Sequence, residues 1–245
     1  MNGFAGDELG IIKDCEIGLT TNEPRFSLYV FSTNRTTGTI TQVVGSPFLC
    51  TSAGADTPGQ MVFSPDGKHL MLSIGSVPAI QVIDFLTTLA SGVLTQVAGS
   101  PFVTPTAIGL YVAVSPNGNF VFGAAIDGPV VAFTRNSTTG ALTSVAGSPF
   151  GAVDNAPRTI SVSPDGKHLY VASGNGVTSP GIRTYSINQT TGALALLQTI
   201  LNPSDNGNNA AVTPNGAYVY VTSGTSIRIY ARDSGNGLLT ASGSA

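Results

Sequence analysis

The chain has 245 residues, a length that suits one large all-β domain or two smaller domains. Only 9% of its residues are charged and its net charge is −3, with 10 basic residues scattered along the chain. No basic patch is present, which excludes a typical nucleic-acid-binding protein. No uninterrupted apolar run approaches the ~20 residues that a membrane-spanning helix needs.

Three short motifs recur along the chain in a fixed order. The first is Ser/Thr-Pro-Asp/Asn-Gly, in four copies spaced by about 50 residues, which begin at Ser64, Ser115, Ser163 and Thr213. The second is Asn-x-Thr-Thr-Gly, which begins at Asn34, Asn136 and Asn188. The third is Gly-Ser-Pro-Phe, which begins at Gly45, Gly99 and Gly147. A constant order at a constant period indicates a repeat protein.

Each repeat predicts four short strands, which we denote a to d. In the fourth repeat these strands are RTISVS, KHLYVAS, GIRTYSI and ALALLQT, and turn residues separate them. The Asp-Gly and Asn-Gly pairs favour tight hairpins between strands a and b. No segment shows a sustained helical period. Four antiparallel strands in each repeat of this length predict a blade of a β-propeller.

Five such blades are predicted, as a single domain, over residues 1–50, 51–103, 104–151, 152–201 and 202–245. In the irregular first blade, LGII, CEIGLTT and FSLYVFS stand for strands a, b and c. We expect Phe48, Phe102 and Phe150 of the Gly-Ser-Pro-Phe motif to fill the space between neighbouring blades. A closed five-bladed ring and an arc of a larger propeller both agree with this repeat.

The stretch SPDGKHLYVAS, followed by GIRTYSINQTTGAL, resembles the YVTN-type repeat family and the related lactonase-type seven-bladed propellers. The resemblance implies a propeller fold for nearly the whole chain. Members of the lactonase type include 6-phosphogluconolactonase, whereas YVTN-type members are often secreted or surface proteins with binding roles. Enzymes of this type tend to have Pro-Arg-His where strand a begins. Here Pro157 and Arg158 match, Thr159 replaces the histidine, and the second blade keeps only Pro58.

Both histidines of the chain, His69 and His168, follow an aspartate by three residues, as in a catalytic pair. The third and fifth blades have Phe120 and Tyr218 at this position, and asparagine replaces the aspartate. Pro, Asp or Asn, and Gly are constant, and these are the residues that a tight turn requires. We therefore predict that the histidines begin strand b at the rim and have a structural role.

The polar residues that vary between copies lie in the loops from strand d to the next strand a. In a propeller these loops converge on the mouth of the central channel. They are Asp56, Gln60, Asp154, Asn155, Arg158, Asp205, Asn206, Asn208 and Asn209. Arg158 is the strongest candidate because a guanidinium can bind a carboxylate or phosphate with two hydrogen bonds. Two alternatives to a ligand site are open. The residues are simply solvated loop residues, or the aspartates bind a cation, although no spaced carboxylate cluster supports a metal.

Two other features leave alternatives open. Cys15 and Cys50 have no metal-ligand spacing and are either buried thiols, which we favour, or one disulfide. Asn34, Asn136 and Asn188 each match a glycosylation sequon, but all three lie in the c–d turn, where Asn is favoured anyway. We expect these asparagines to be exposed.

The leading functional prediction is a non-enzymatic binding or scaffold propeller without a cofactor, and with an unknown small molecule, glycan or protein as ligand. A lactonase-like hydrolase of the 6-phosphogluconolactonase type, with its site at the channel mouth, is the first alternative. A structural subunit that self-assembles through open terminal blades is the second. A low charge content with much Ser, Thr, Asn and Gly favours an extracellular or cell-surface location, although the first ten residues lack the features of a signal peptide.

Overall fold

The computed structural model describes residues 7–14, 26–34, 36–42, 46–50, 58–74, 79–84, 95–104, 108–125, 129–151, 157–174, 181–201, 207–223 and 226–244. Within these ranges the regular secondary structure consists of 21 β-strands in five antiparallel sheets. The all-β propeller prediction, with about five four-stranded blades, is confirmed. No helix in the described ranges could cross a membrane.

Each sheet is one blade. The first contains β1 (Asp7–Asp14), β2 (Phe26–Asn34), β3 (Ile40–Gln42) and β4 (Phe48–Cys50). The second contains β5 (Pro58–Phe63), β6 (His69–Ile74), β7 (Ala79–Asp84), β8 (Thr95–Gln96) and β9 (Phe102–Val103). The third contains β10 (Ile108–Val114), β11 (Phe120–Ala125), β12 (Val130–Arg135) and β13 (Leu142–Ser144). The fourth contains β14 (Pro157–Val162), β15 (His168–Ser173), β16 (Gly181–Ile187) and β17 (Leu194–Leu201). The fifth contains β18 (Gly207–Val212), β19 (Tyr218–Ser223), β20 (Ser226–Arg232) and β21 (Leu239–Ser244).

The blades pack face to face, with their first strands innermost. The first strands of the second to fifth blades are β5, β10, β14 and β18, and each contacts the next. Apolar clusters fill the spaces between the second and third, third and fourth, and fourth and fifth blades. A β-sheet with two apolar faces must bury both, and the stacking of blades achieves this.

The Gly-Ser-Pro-Phe motif lies within strand d rather than beyond it. The Ser-Pro bonds are cis, and the serine hydroxyls of Ser46, Ser100 and Ser148 accept hydrogen bonds of 2.8–3.0 Å from strand c backbone amides. The phenylalanine that follows pairs again with strand c of its own blade. Phe102 and Phe150 pack into the clusters between blades, as predicted. The side chain of Phe48 is outside the described residues.

The strand assignment in the first blade is wrong in one respect. β1, which contains LGII, pairs directly with β2, which contains FSLYVFS, so these two strands are neighbours. The predicted strand CEIGLTT therefore does not separate them, and it lies outside the described residues. The copy is too divergent for its first strands to be aligned from turn motifs alone.

The outward face of the fifth blade is exposed, in contrast to the same face of the fourth. Tyr170 in the fourth blade is fully buried against the fifth, whereas its repeat equivalent Tyr220 is 39% exposed. Ile227 is 44% exposed, and its equivalent Ile182 is buried. An apolar depression of about 440 Å³ opens here, lined by Asn209, Ala211, Tyr220, Thr222, Ile227 and Ile229.

Candidate functional site

The strand register gives the propeller two distinct ends. In the fourth blade the start of strand a, at Pro157, pairs with the end of strand b, at Ser173, which pairs with the start of strand c. We call this the channel end, and the loops from strand d to strand a arrive there. The opposite end carries the Pro-Asp/Asn-Gly turns and the c–d turns, and we call it the turn end.

Strand a is irregular at the channel end in the second to fifth blades. The register shifts between Pro58 and Met61, Ile108 and Tyr111, Pro157 and Thr159, and Gly207 and Ala210. A β-bulge of this kind redirects a side chain and is common beside functional sites. The shifts enclose four predicted candidates, which are Gln60, Arg158, Asn208 and Asn209.

Two of these candidates form hydrogen bonds between blades. The Gln60 Oε1 accepts a hydrogen bond of 3.2 Å from the Val112 backbone amide of the next blade. The buried Thr159 hydroxyl donates to Asn209 Oδ1 at 3.2 Å, and the Asn209 backbone amide donates to Thr222 Oγ1 at 3.0 Å. These bonds fix the spacing of the strands at the channel end.

Arg158 differs from its neighbours because its side chain is exposed and lies between two paired residues of β14. Among the described residues it forms no ion pair or side-chain hydrogen bond. Within the described part of the chain, the guanidinium is therefore a charged group that no other side chain neutralises. A group of this type suits an anionic ligand or a developing negative charge.

The other predicted site residues cannot be placed in one site, because the structure does not describe them or their side chains. Asp56, Asp154, Asn155, Asp205 and Asn206 lie outside the described residues, as does Cys15. Asn208 and Cys50 belong to β18 and β4, but their side chains are not described. The described residues contain no group of three or more His, Cys, Asp or Glu side chains arranged to hold a metal ion.

The histidines lie at the turn end, where they begin strand b as predicted, but they are buried between blades instead of exposed at the rim. Arg135 of the third blade places Nη1 2.7 Å from His69 Nδ1 and Nη2 2.9 Å from Asp66 Oδ2. Arg232 of the fifth blade places Nη2 2.9 Å from His168 Nδ1 and 2.6 Å from Asp165 Oδ2. The two clusters are repeats of one arrangement.

Local turn chemistry explains why each aspartate is available to the arginine. The Ser64 hydroxyl donates to Asp66 Oδ1 and accepts a 3.0 Å hydrogen bond from the His69 backbone amide. Oδ1 thus completes the turn, and Oδ2 remains free for Arg135 of the next blade. Asn117 makes the same turn bonds in the third blade, but its amide offers no second carboxylate oxygen.

Burial and charge shift the pKa values in these clusters. Burial would raise the pKa of Asp66, but hydrogen bonds from Arg135, Ser64 and the Lys68 amide outweigh it and lower the pKa to about 2. Asp165 has a pKa of about 2 for the same reasons, with Ser163 and Arg232 as donors. Burial, and then the neighbouring arginine, lower the pKa of both histidines. Since a guanidinium only donates, each histidine accepts a hydrogen bond at Nδ1.

Sequence reasoning missed the two arginines. Arg135 and Arg232 each directly precede a c–d turn, and they occur in the blades that follow an Asp/His turn. The blade that follows the Asn117/Phe120 turn has Ile187 at this position instead. A comparison of adjacent repeats, rather than of each motif alone, contains this signal.

The asparagines of the three sequons are exposed, as predicted. The Oδ1 of Asn34, Asn136 and Asn188 accepts hydrogen bonds of 2.9–3.0 Å from the backbone amides two and three residues later. Turn geometry therefore accounts for these asparagines.

Residues 150–245 match the sequence model of a family described as lactonase, 7-bladed beta-propeller. The resemblance to lactonase-type propellers is confirmed.

A Bacteroides fragilis protein provisionally named a 6-phosphogluconolactonase has a similar structure, with a TM-score of 0.72 and 22% identity over 91% of this chain and 67% of that one. The periplasmic gluconolactonase of Pseudomonas aeruginosa gives a TM-score of 0.73 at 18% identity, over 96% of this chain and 66% of that one. The chain thus spans about two thirds of their length. No curated protein sequence matches it.

These comparisons overturn the leading functional prediction. A non-enzymatic binding or scaffold propeller was favoured because the Pro-Arg-His pattern is only partly present and blades are fewer than seven. The matching family is a lactonase family, and two similar structures carry lactonase names. The findings therefore favour the lactonase-like alternative. The scaffold prediction gave too much weight to a single missing histidine at Thr159.

Proposed function

We propose that the chain hydrolyses a sugar lactone at the channel end. The observation that carries this proposal is Arg158, an exposed cation that the fold leaves without a partner among the described residues. It lies in a β-bulge of the innermost strand, in the one blade that keeps the Pro-Arg pair. The lactonase family match includes this position, since it begins at residue 150.

The reaction needs two kinds of protein group. Water adds to the lactone carbonyl, negative charge develops on the carbonyl oxygen, and the ring C–O bond breaks to give a hydroxy acid. A guanidinium near that oxygen, or near a phosphate or carboxylate of the sugar, stabilises the charge that the reaction develops or the substrate already carries. The acidic residues predicted near it, Asp56, Asp154 and Asp205, are candidates to accept the proton from water.

Hydrolysis of glucono-δ-lactone and of 6-phosphogluconolactone, measured against their spontaneous opening, tests the proposal. We expect the protein to accelerate at least one of them. Arg158→Ala should lower kcat/KM by about 100-fold, the range seen when one charge-stabilising donor is removed. Lys167→Ala, which removes an exposed cation at the turn end, is the matched control and should leave the rate unchanged. Spontaneous rates with the unaltered protein would reject the proposal.

We extend the proposal to a location outside the cytoplasm. One similar structure is a periplasmic protein, and the low charge content of this chain agrees with export. Fractionation of the source cells, with an antibody against the protein, checks this. Recovery in the cytoplasmic fraction alone would contradict it.

A further inference from the structure

The three described interfaces between blades are of two chemical kinds at the turn end. The second–third and fourth–fifth interfaces each hold an Asp, a His and an Arg. The third–fourth interface has Asn117, Phe120 and Ile187 at the same three repeat positions. Phe120 and Ile187 belong there to an apolar cluster. Hydrogen bonds between titratable side chains thus connect the blades at the second–third and fourth–fifth interfaces. The third–fourth interface has no titratable groups at the equivalent positions.

We propose that the second–third and fourth–fifth interfaces are acid-sensitive devices that loosen when His69 and His168 gain a proton, while the third–fourth interface stays closed. The inference goes beyond the proposed hydrolysis, and its test needs no lactone.

The hydrogen-bond geometry gives the reason. Nδ1 of His69 and of His168 accepts from a guanidinium, at 2.7 and 2.9 Å respectively. An arginine has only donors, so Nδ1 must carry the lone pair and the ring proton must be on Nε2. A second proton on Nδ1 would remove this hydrogen bond and place two cations in contact. The guanidinium and the imidazolium would then have to separate, and they belong to different blades.

The other charges around the rings do not reverse this effect. His69 faces Arg135, Asp66, Asp84 and Lys68. His168 faces Arg232, Asp165, Lys167 and Asp233. The aspartates favour the charged ring, but burial and the arginines outweigh them and lower the pKa of both histidines from 6.5. Because the folded-state pKa lies below the unfolded one, stability is full above about pH 6.5 and declines as the pH falls through the folded-state value.

Each ring packs closely against a glycine of the neighbouring blade. A Cβ atom added at Gly140 would collide with the His69 ring, and one added at Gly237 would collide with the His168 ring. Arg135 also donates to the Gly118 carbonyl at 2.6 Å, and Arg232 donates to the Tyr170 hydroxyl at 2.8 Å. With both partners held, charge repulsion must be relieved by separation of the blades.

The loosening would reach the channel end through the same blades. The second–third interface carries the Gln60–Val112 bond there, and the fourth–fifth interface carries the Thr159–Asn209 bond. Acid would therefore disturb the spacing of the strands at the channel end, and at Arg158 it would do so on the side of the fifth blade, through the Thr159–Asn209 bond.

The third–fourth interface supplies the test variants. Asp66→Asn, His69→Phe and Arg135→Ile together transplant its residues to the second–third interface. Asp165→Asn, His168→Phe and Arg232→Ile do the same at the fourth–fifth interface. We expect the thermal midpoint of the unaltered protein to fall by at least about 3 °C more between pH 7.5 and 5 than that of the combined variant. Each triple variant should show about half of this difference. Ile187→Val, a control at the apolar interface, should keep the full pH dependence.

A second measurement uses the unaltered protein and remains decisive if the variants do not fold. The chain has only two histidines, so its imidazole nitrogen NMR signals all come from these sites. We expect both rings to be in the Nε2–H form at pH 7 and to titrate below 6.5. Amide exchange, corrected for its intrinsic pH dependence, should then accelerate in β6 and β15 but not in β11. Titration of both rings at or above the ordinary value, or an equal pH dependence in the combined variant, would overturn the proposal.

Discussion

Arg135 and Arg232 at the turn end and Arg158 at the channel end are placed in opposite environments. At the turn end Arg135 and Arg232 are buried. Aspartate carboxylates, histidine ring nitrogens and backbone carbonyl oxygens accept their hydrogen bonds. At the channel end Arg158 is exposed and the fold makes no use of it among the described residues. A repeated and neutralised charge is explained by architecture alone. A charge that is neither repeated nor neutralised requires another explanation, and the site proposal starts from that residue.

The largest expected effect is the loss of a turn-end arginine. Arg232→Met leaves the Asp165 carboxylate and the buried Tyr170 hydroxyl without their donor, and should lower the free energy of unfolding by about 3–5 kcal/mol. Ile187→Met at the equivalent position of the apolar interface should cost less than about 1.5 kcal/mol. Urea unfolding of both variants measures the difference. Equal losses would show that the ionic clusters are not what holds these interfaces.

Glycine substitutions separate the turn conformation from the contact between blades. Gly38 and Gly140 occupy the same turn position with φ of +73° and +75°, but of the two only Gly140 lies against a residue of another blade, His69 of the second blade. Gly38→Ala should cost about 1–2 kcal/mol for the left-handed conformation. Gly140→Ala should cost about 1–3 kcal/mol more, because its methyl group displaces the ring. Thermal unfolding of the two variants compares them, and similar losses would mean that the His69 ring moves freely.

Strong acid should remove the contribution of the aspartates. Each pKa falls from 3.8 to about 2 on folding, so the arginine, serine and backbone-amide hydrogen bonds of each carboxylate together stabilise the protein by about 2 kcal/mol at neutral pH. The carboxylates are 31% exposed in both pairs, so solvent screening reduces this figure. The contribution is complete above about pH 4 and is lost as the pH falls towards 2. Asp66→Asn should remove about half of this loss, since Asp165 keeps its own contribution, whereas the His-dependent decline at higher pH should remain. Urea unfolding between pH 2 and 7 measures both.

The repeat made the fold predictable, because three turn motifs at one period fix strand order and blade number. It also indicated a structural role for the histidines, since Phe120 and Tyr218 replace them in other copies, and both histidines begin strand b as predicted. Their arginine partners were not predictable from one motif, because each ion pair joins residues more than 60 positions apart, in neighbouring blades. The pairing is visible only when Asp66, His69 and Arg135 are compared with Asn117, Phe120 and Ile187.

The candidate site was less predictable than the fold. Gln60, Arg158 and Asn209 were chosen because they depart from the repeat, and the bulges in strand a place all three at the channel end. The sequence did not show that these three residues have different roles. Gln60 and Asn209 connect blades, whereas Arg158 is exposed and has no partner among the described residues. This difference depends on distances of about 3 Å between strands.

The smallest expected effect on stability is that of Arg158→Ala, and it tests directly whether Arg158 differs from the turn-end arginines. Arg158→Ala should change the free energy of unfolding by no more than about 0.5 kcal/mol, because the side chain is exposed and the described residues give it no partner to lose. Urea unfolding checks this beside Arg232→Met. A loss of several kcal/mol would mean that Arg158 is a structural residue like its turn-end counterparts, and a loss of hydrolysis in that variant would then be uninformative. A stable but inactive variant would leave catalysis or substrate binding as the role of this arginine.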